Sequence, residues 1–177
     1  VTATSKKDFG MVRRAAEMAG DLIHLELGKP SHDTPEHIRE ATIAALRAGH
    51  VHYSDLAGLP ELRAALDQKL RRDNGIAVGP DGILVTNGLT QASFAAFMAL
   101  IDEGDEAILL EPYYPQHIGK IELAGGRVVT APLDAAAGFR IRSDLIELRI
   151  TQRTKAIALV NPAIRPGAST HARSWTN

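Results

Sequence analysis

Apolar and polar positions along this 177-residue chain keep two different rhythms. The first third is helical in spacing. Thr34-Pro35-Glu36 offers a hydroxyl cap, a proline at the first helical position and an acid in the first turn. Ile38, Ala41, Thr42, Ala45 and Leu46 then recur on one face until Gly49 closes the segment. A second helix is predicted from Gly58-Leu59-Pro60, with Leu62, Leu66 and Leu70 on one side and an end near Asn74-Gly75. From Ile83 onward, short apolar runs and helical stretches take turns. Strands are predicted at Ile83–Thr86, Glu106–Leu110, Arg127–Ala131 and Lys155–Val160. Helices are predicted between them at Gln91–Ile101, Gln116–Leu123 and Ser143–Ile150. This order implies an α/β fold with a doubly wound, mostly parallel sheet. Ile157-Ala158-Leu159-Val160 is apolar without a break, as in a strand covered on both faces. Residues 1–30 read as an N-terminal arm, and 168–177 as an unpatterned tail.

Composition narrows the function classes. A hydrophobic fraction of 45% with 23% charged residues is that of an ordinary globular chain with a sizeable core. The net charge of −1, with no long run of one sign, gives no support to nucleic-acid or membrane binding. The absence of cysteine removes disulfides, thiolate metal sites and a cysteine nucleophile, and no metal site is expected. No apolar run approaches the roughly 20 residues of a membrane span, and the first 20 residues lack the apolar centre of a secretory signal. A cytoplasmic protein is the expectation.

Candidate chemistry gathers where the strands end, which is where open α/β sheets bind ligands. Asn87-Gly88-Leu89-Thr90 joins a strand to a helix N-terminus, a place that suits a phosphate. Tyr113 and Tyr114 stand at the tip of the next strand and could cover a flat ring. Phosphate below and ring above point to a phosphorylated aromatic ligand. Neither G-x-G-x-x-G nor G-x-x-x-x-G-K-[ST] occurs, so a dinucleotide or a P-loop nucleotide is disfavoured.

Five segments in order then carry a resemblance. They are Leu27-Gly28-Lys29-Pro30 with Thr34-Pro35, Tyr53 to Gly58 with Glu61-Leu62-Arg63, Thr86-Asn87-Gly88 through Ala92, Gly104-Asp105-Glu106 to Pro115, and Thr154 to Pro162. Together they resemble the N-terminal half of class I/II aminotransferases, the fold-type I enzymes dependent on pyridoxal 5′-phosphate (PLP). The resemblance implies that 31–167 is a partial PLP-binding large domain. It implies that Gly88, Leu89 and Thr90 hold the cofactor phosphate and that Tyr114 stacks on the pyridine ring, with Tyr113 as the alternative stacker. It implies that Tyr53 reaches the phosphate of a neighbouring subunit in a homodimer and that Gly28 lets the substrate carboxylate approach. The implied substrates are an amino acid and a 2-oxo acid.

The same resemblance marks departures. The family's Schiff-base lysine, its acid for the pyridine nitrogen and its substrate-binding arginine lie beyond the matched segment, so a truncated chain inactive alone is expected. The lysines present, Lys6, Lys7, Lys29, Lys69, Lys120 and Lys155, read as a strand opener at Lys155 and as solvated charges elsewhere. Ile164 stands where the family carries an asparagine that bonds the cofactor's ring oxygen, while Gly167 keeps register. A base lost and later regained is the expected account of this run, since Asn-Pro-Thr codons shifted by one can read Ile-Arg-Pro. Other fold-type I PLP enzymes (a carbon–sulfur lyase or a synthase) and a non-catalytic remnant are the competing expectations.

Overall fold

The computed structural model describes residues 14, 15, 17, 18, 23, 28 and 30–162. The expected arm at 1–30 lies almost wholly outside the described residues, and the tail at 168–177 and Ile164 lie wholly outside them. The chain divides into two compact units, one from residues 21–92 and the other from 93–177 with 1–20.

In the unit 21–92, helix α1 (Glu36–Arg47) follows Pro35, which takes φ −51 and ψ 140 and so stays outside the helix. The expected hydroxyl cap from Thr34 is not made. Pro35 holds the cap position, and no side chain there bonds the first turn. The other end matches expectation. Gly49 at φ +82 donates its N–H to Leu46 O, and the His50 N–H bonds Ala45 O, the paired bonds of a Schellman stop. The expected apolar face of α1 stays uncovered, since none of its residues is buried.

Helix α2 (Pro60–Lys69) starts on its proline and runs into a π-helical turn, Leu70–Asn74, that ends at Gly75 with φ +67. Side chains tie this helix to the segment after it. Arg63 Nε donates to the carbonyls of Pro80 (3.0 Å) and Ile83 (3.1 Å), and its terminal nitrogen meets Asp81 at 3.0 Å. Buried Asp67 accepts from Arg71 at 2.8 Å and from the Gly79 N–H at 2.9 Å. The Arg71 hydrogen bond holds the Asp67 carboxyl below its ordinary range against the opposing effect of burial. The expected strand Ile83–Thr86 is extended but is not a strand, because no ladder partner lies beside it among the described residues. Its backbone is tied to the preceding loop by the Val85 N–H to Ala57 O (2.9 Å). Gly58 is required there: a Cβ on it would lie 2.6 Å from the Val85 side chain.

Helix α3 (Gly88–Leu100) begins in the first unit and ends in the second. The second unit then runs β1 (Glu106–Glu111), α4 (Gln116–Leu123), β2 (Arg127–Pro132), α5 (Ser143–Glu147) and β3 (Thr154–Ala158). The three strands form one parallel sheet in the order β2-β1-β3. Alternation along the central strand sorts the core. Ala107 and Leu109 pack with Phe97, Ile101 and Ile121 from α3, the turn after it and α4. Ile108 and Leu110 pack with Ala131, Ile141 and Ile146 on the α5 side. Helices therefore cover both faces of a parallel sheet, in agreement with the α/β expectation.

Two elements differ from their predicted form. Helix α5 stops at Glu147 rather than Ile150, because the Arg149 and Ile150 N–H groups bond carbonyls three residues back and tighten the last turn. β3 pairs only as far as Ala158, and Ile157 remains 43% exposed, so it is an edge strand with one open face and not one covered on both. At the start of the sheet, Glu106 is buried and accepts from Thr151 Oγ1 (2.6 Å) and Arg153 (3.1 Å). The Thr151 hydrogen bond, ahead of the two arginines, lowers the Glu106 pKa.

Candidate cofactor site

In the first unit, the chain enters α3 through Asn87, whose N–H donates to the Gln91 side-chain oxygen at 2.7 Å. That bond seats the turn, and the helix starts at Gly88, three residues earlier than the sequence predicts. Gly88, Leu89 and Thr90 are thus the first turn of a 13-residue helix. Gly88 takes φ +72, a conformation natural to glycine, with open space where a Cβ would point. Leu89 and Thr90 are exposed. Aligned peptide dipoles put about half a positive charge at such an end, and anions settle there. Tyr53 stands fully exposed in the loop before Gly58, and Gly28 is exposed with nothing within 4 Å of a would-be Cβ. No hydrogen bond among the described residues joins either of them to the first turn of α3.

Tyr114 belongs to the second unit. β1 ends at Glu111, and the chain turns through Pro112, Tyr113, Tyr114 and Pro115 into α4. The two tyrosines part company. Tyr113 packs against the Phe97–Ile121 cluster. Tyr114, half-buried, sets its ring against His117 at 5.5 Å between centroids and 74° between planes. His117 is only 5% exposed and meets Phe97 in the same edge-on manner at 5.7 Å and 72°. Its Nδ1 is buried without a hydrogen-bond partner. A small hollow at the carboxyl ends of β1 and β3 is lined by Leu109, Pro112, Tyr113, His117, Phe139 and Leu159, among others.

The lysines separate in this structure. Lys155 is exposed on β3, as expected, and Lys69 donates to the Asn74 side chain at 2.6 Å. Lys6, Lys7 and Lys29 lie outside the described residues. Lys120 overturns the expectation of a solvated charge. It is 8% exposed and donates from Nζ to Ser93 Oγ at 2.7 Å. Burial lowers its pKa, and burial followed by the charge of Lys120 lowers that of His117. Sequence reasoning passed over His117 and read Lys120 as solvated, although His117, Lys120 and Ile121 fall at helical i, i+3, i+4 spacing. That spacing was the available signal for a shared inward face, which the charges masked.

Taken unit by unit, the open helix start with Gly88 at positive φ suits a phosphate in the unit 21–92, and the Tyr114 ring set against His117 suits a flat ring in the other unit. Of the described lysines, Lys69 and Lys120 are hydrogen-bonded to side chains and Lys155 is exposed on β3. Among the described residues, no helix is long and apolar enough to cross a membrane.

Comparison with known proteins agrees with this architecture. The profile of the family described as aminotransferase class I and II matches residues 20–171. The aspartate/prephenate aminotransferase of Thermus thermophilus is 43% identical over 148 residues, covering 84% of this chain and 38% of that protein. The aspartate aminotransferase of Rhizobium meliloti is 37% identical over 165 residues, covering 92% and 40%. Among solved structures, a single mutant of Thermus thermophilus aspartate aminotransferase superposes with a TM-score of 0.89 at 36% identity, over 98% of this chain and 46% of that one. The alanine aminotransferase of Pyrococcus furiosus gives 0.88 at 32% identity, over 98% and 47%. The chain thus spans less than half the length of these relatives. With the profile covering most of its residues, the parallel sheet in place and the tyrosine pair at the end of the central strand, it belongs to the class I and II aminotransferases, a family of PLP-dependent enzymes.

Proposed function

We propose that this chain carries the cofactor-cradling portion of a PLP-dependent aminotransferase that moves an amino group between an amino acid and a 2-oxo acid. The observation that carries the reading is Tyr114. Its ring lies past the carboxyl end of the central parallel strand and is backed edge-on by His117, while Tyr113 is turned into the core. A half-buried tyrosine so placed can stack on a planar ligand. The first turn of α3, Gly88 to Thr90, holds the cofactor phosphate through the positive end of the helix. Gly28 lets the substrate carboxylate approach the backbone. Tyr53, fully exposed, reaches the phosphate site of the partner subunit in a homodimer. The setting is the cytoplasm, and residues 31–167 act as the PLP-binding part. When bound, PLP supplies the electron sink that takes up the pair freed at the substrate Cα. The protein's part in this region is to bind, orient and keep the ring flat against Tyr114.

Titration of the chain with PLP, followed by equilibrium dialysis, tests the reading. Reversible uptake is expected, and Tyr114→Ala should weaken it roughly tenfold, the scale of one aromatic stacking contact. Borohydride treatment and peptide mapping should leave all six lysines unlabelled. Specific labelling of Lys120 or Lys155, or uptake indifferent to Tyr114, would reject this assignment of roles.

A further inference from the structure

We propose that Phe139 is a positioning residue for the turn that carries Tyr114: the loop after β2 holds its backbone left-handed, and its ring props the Pro112–Tyr113 stretch from beside. The inference rests on the reading of Tyr114 as the stacking partner of the cofactor ring.

A backbone conformation sets the problem. Among the described residues, Phe139 is the one non-glycine residue with a positive φ, +61. An L-residue in that region crowds its own Cβ against the following carbonyl, at a cost of about tenfold in the folding equilibrium. A bulky side chain is rarely found there. The loop enforces it. β2 ends at Pro132, and Asp134 closes the loop twice: its N–H donates to Arg140 O (3.0 Å), and its carbonyl accepts from the Phe139 N–H (2.7 Å). The Asp134 side chain also accepts from the Ala137 N–H at 3.1 Å and seats the 3₁₀ turn Ala135–Ala137. Two left-handed residues in succession, Gly138 at φ +69 and Phe139, then bring the chain back beside Asp134. Glycine or asparagine at 139 would close the same loop at less cost.

The phenyl ring is what those residues would not supply. It lines the hollow at the carboxyl ends of β1 and β3, together with Leu110, Pro112 and Tyr113. Phe139 is half-buried and belongs to neither core cluster of the described residues, although Ile141, two residues on, is buried in one of them. The ring thus stands at the ligand end of the sheet and not in its interior. The same loop grips the turn at a second point, where the Leu133 N–H donates to Glu111 O at 2.8 Å. Glu111 is held by that bond, Pro112 and Tyr113 are flanked by the phenyl ring, and Tyr114 comes next. Residues kept in sparsely populated backbone regions persist where their surroundings over-determine them, and they gather at ligand sites.

The test compares three variants of the full 177-residue chain. Phe139→Ala removes the ring and keeps the strained backbone, Phe139→Gly removes both, and Phe139→Tyr keeps both. Urea midpoints should rank the glycine variant above the alanine one, because glycine enters the left-handed region freely. PLP uptake should not follow that ranking. It should weaken about tenfold in both, since both lack the ring, and stay within about twofold of wild type in Phe139→Tyr. Without PLP, the NMR signals of the Tyr114 ring should shift alike in the alanine and glycine variants and keep their wild-type positions in Phe139→Tyr. Wild-type uptake with unmoved Tyr114 signals in Phe139→Gly would overturn the proposal. So would uptake that falls only as far as stability falls, the mark of a merely structural ring. A glycine variant no more stable than the alanine one would also overturn it, by removing the strain from which it starts. Uptake equal in wild type and Tyr114→Ala would instead strike the assignment of Tyr114 itself, and the Tyr114 signals would then decide the placing of Phe139 alone.

Discussion

Lys120 and His117 show what a charge costs when a helix face turns inward. Each has a folded pKa lowered by burial, so between the folded and unfolded values the unfolded chain binds more protons. For both groups stability is complete above the unfolded pKa and falls as pH drops through the window. The His117 window opens at its ordinary value of 6.5 and extends downward, and the Lys120 window extends downward from 10.5. At neutral pH the Lys120 charge is thus already a liability, offset in part by Ser93. Lys120→Met, of similar length and without charge, should raise the urea midpoint at pH 7, and the gain should shrink as pH approaches the lysine range. A lower midpoint in the methionine variant would show that the Ser93 bond outweighs the burial of the amine. Gly126 poses the opposite constraint, one of space. A Cβ there would sit 2.4 Å from Ile101 Cγ2 and 3.1 Å from Ile121 Cγ2. Gly126→Ala should cost about 1–3 kcal/mol, as overpacking does, and a denaturant melt would measure it.

At the scale of elements, the outcome depends on whether a segment finds a partner. Strand β1 was legible because Ala107 to Leu110 are apolar on both faces and both faces are covered, by α3 and α4 on one and α5 on the other. Ile83–Thr86 has the same β-prone composition, yet Val85 bonds a loop carbonyl at Ala57 and no ladder forms beside it among the described residues. Apolar composition records the tendency to extend, and pairing depends on a neighbour that local sequence does not name. α1 makes the same point, since a regular apolar stripe with a well-formed stop at Gly49 ends with no buried residue. The candidate site divides in the same way. Gly88 and Tyr114 stood out because turn and aromatic chemistry is local. His117 and Lys120 did not, because their role depends on Phe97 and Ser93, which lie 20 and 27 residues earlier on α3. The energetic contrast can be measured on two leucines. Leu109→Ala, at the buried centre of β1, should cost about 2–5 kcal/mol. Leu123→Ala, exposed at the last turn of α4, should stay within about 0.5 kcal/mol. Similar costs at the two positions would mean that the α4 end is covered in solution.

For the molecule as a whole, the uncovered apolar surface and the small net charge act together. Among the described residues β3 has an unpaired edge and an open face at Ile157, while Leu56 and Tyr53 stand fully exposed in the other unit. Each unit therefore carries apolar area of the kind that drives association. The usual counterweight is like-charge repulsion, and here it is weak, with a net charge of −1 and an isoelectric point of about 6.7. Two routes to self-association follow, and they separate by their pH dependence and by site. If bulk apolar contact governs, light scattering should peak near the isoelectric point and fall by about pH 8.5, where added negative charge separates the chains. Ile157→Lys places a charge on the edge strand, a common natural protection against edge-to-edge pairing, and should lower scattering throughout that range. If instead the loop bearing Tyr53 and Leu56 is the adhesive surface, Ile157→Lys will leave scattering unchanged and Leu56→Asp will suppress it. The second outcome would also favour the proposed homodimer, because Tyr53 is the residue expected to reach across that contact.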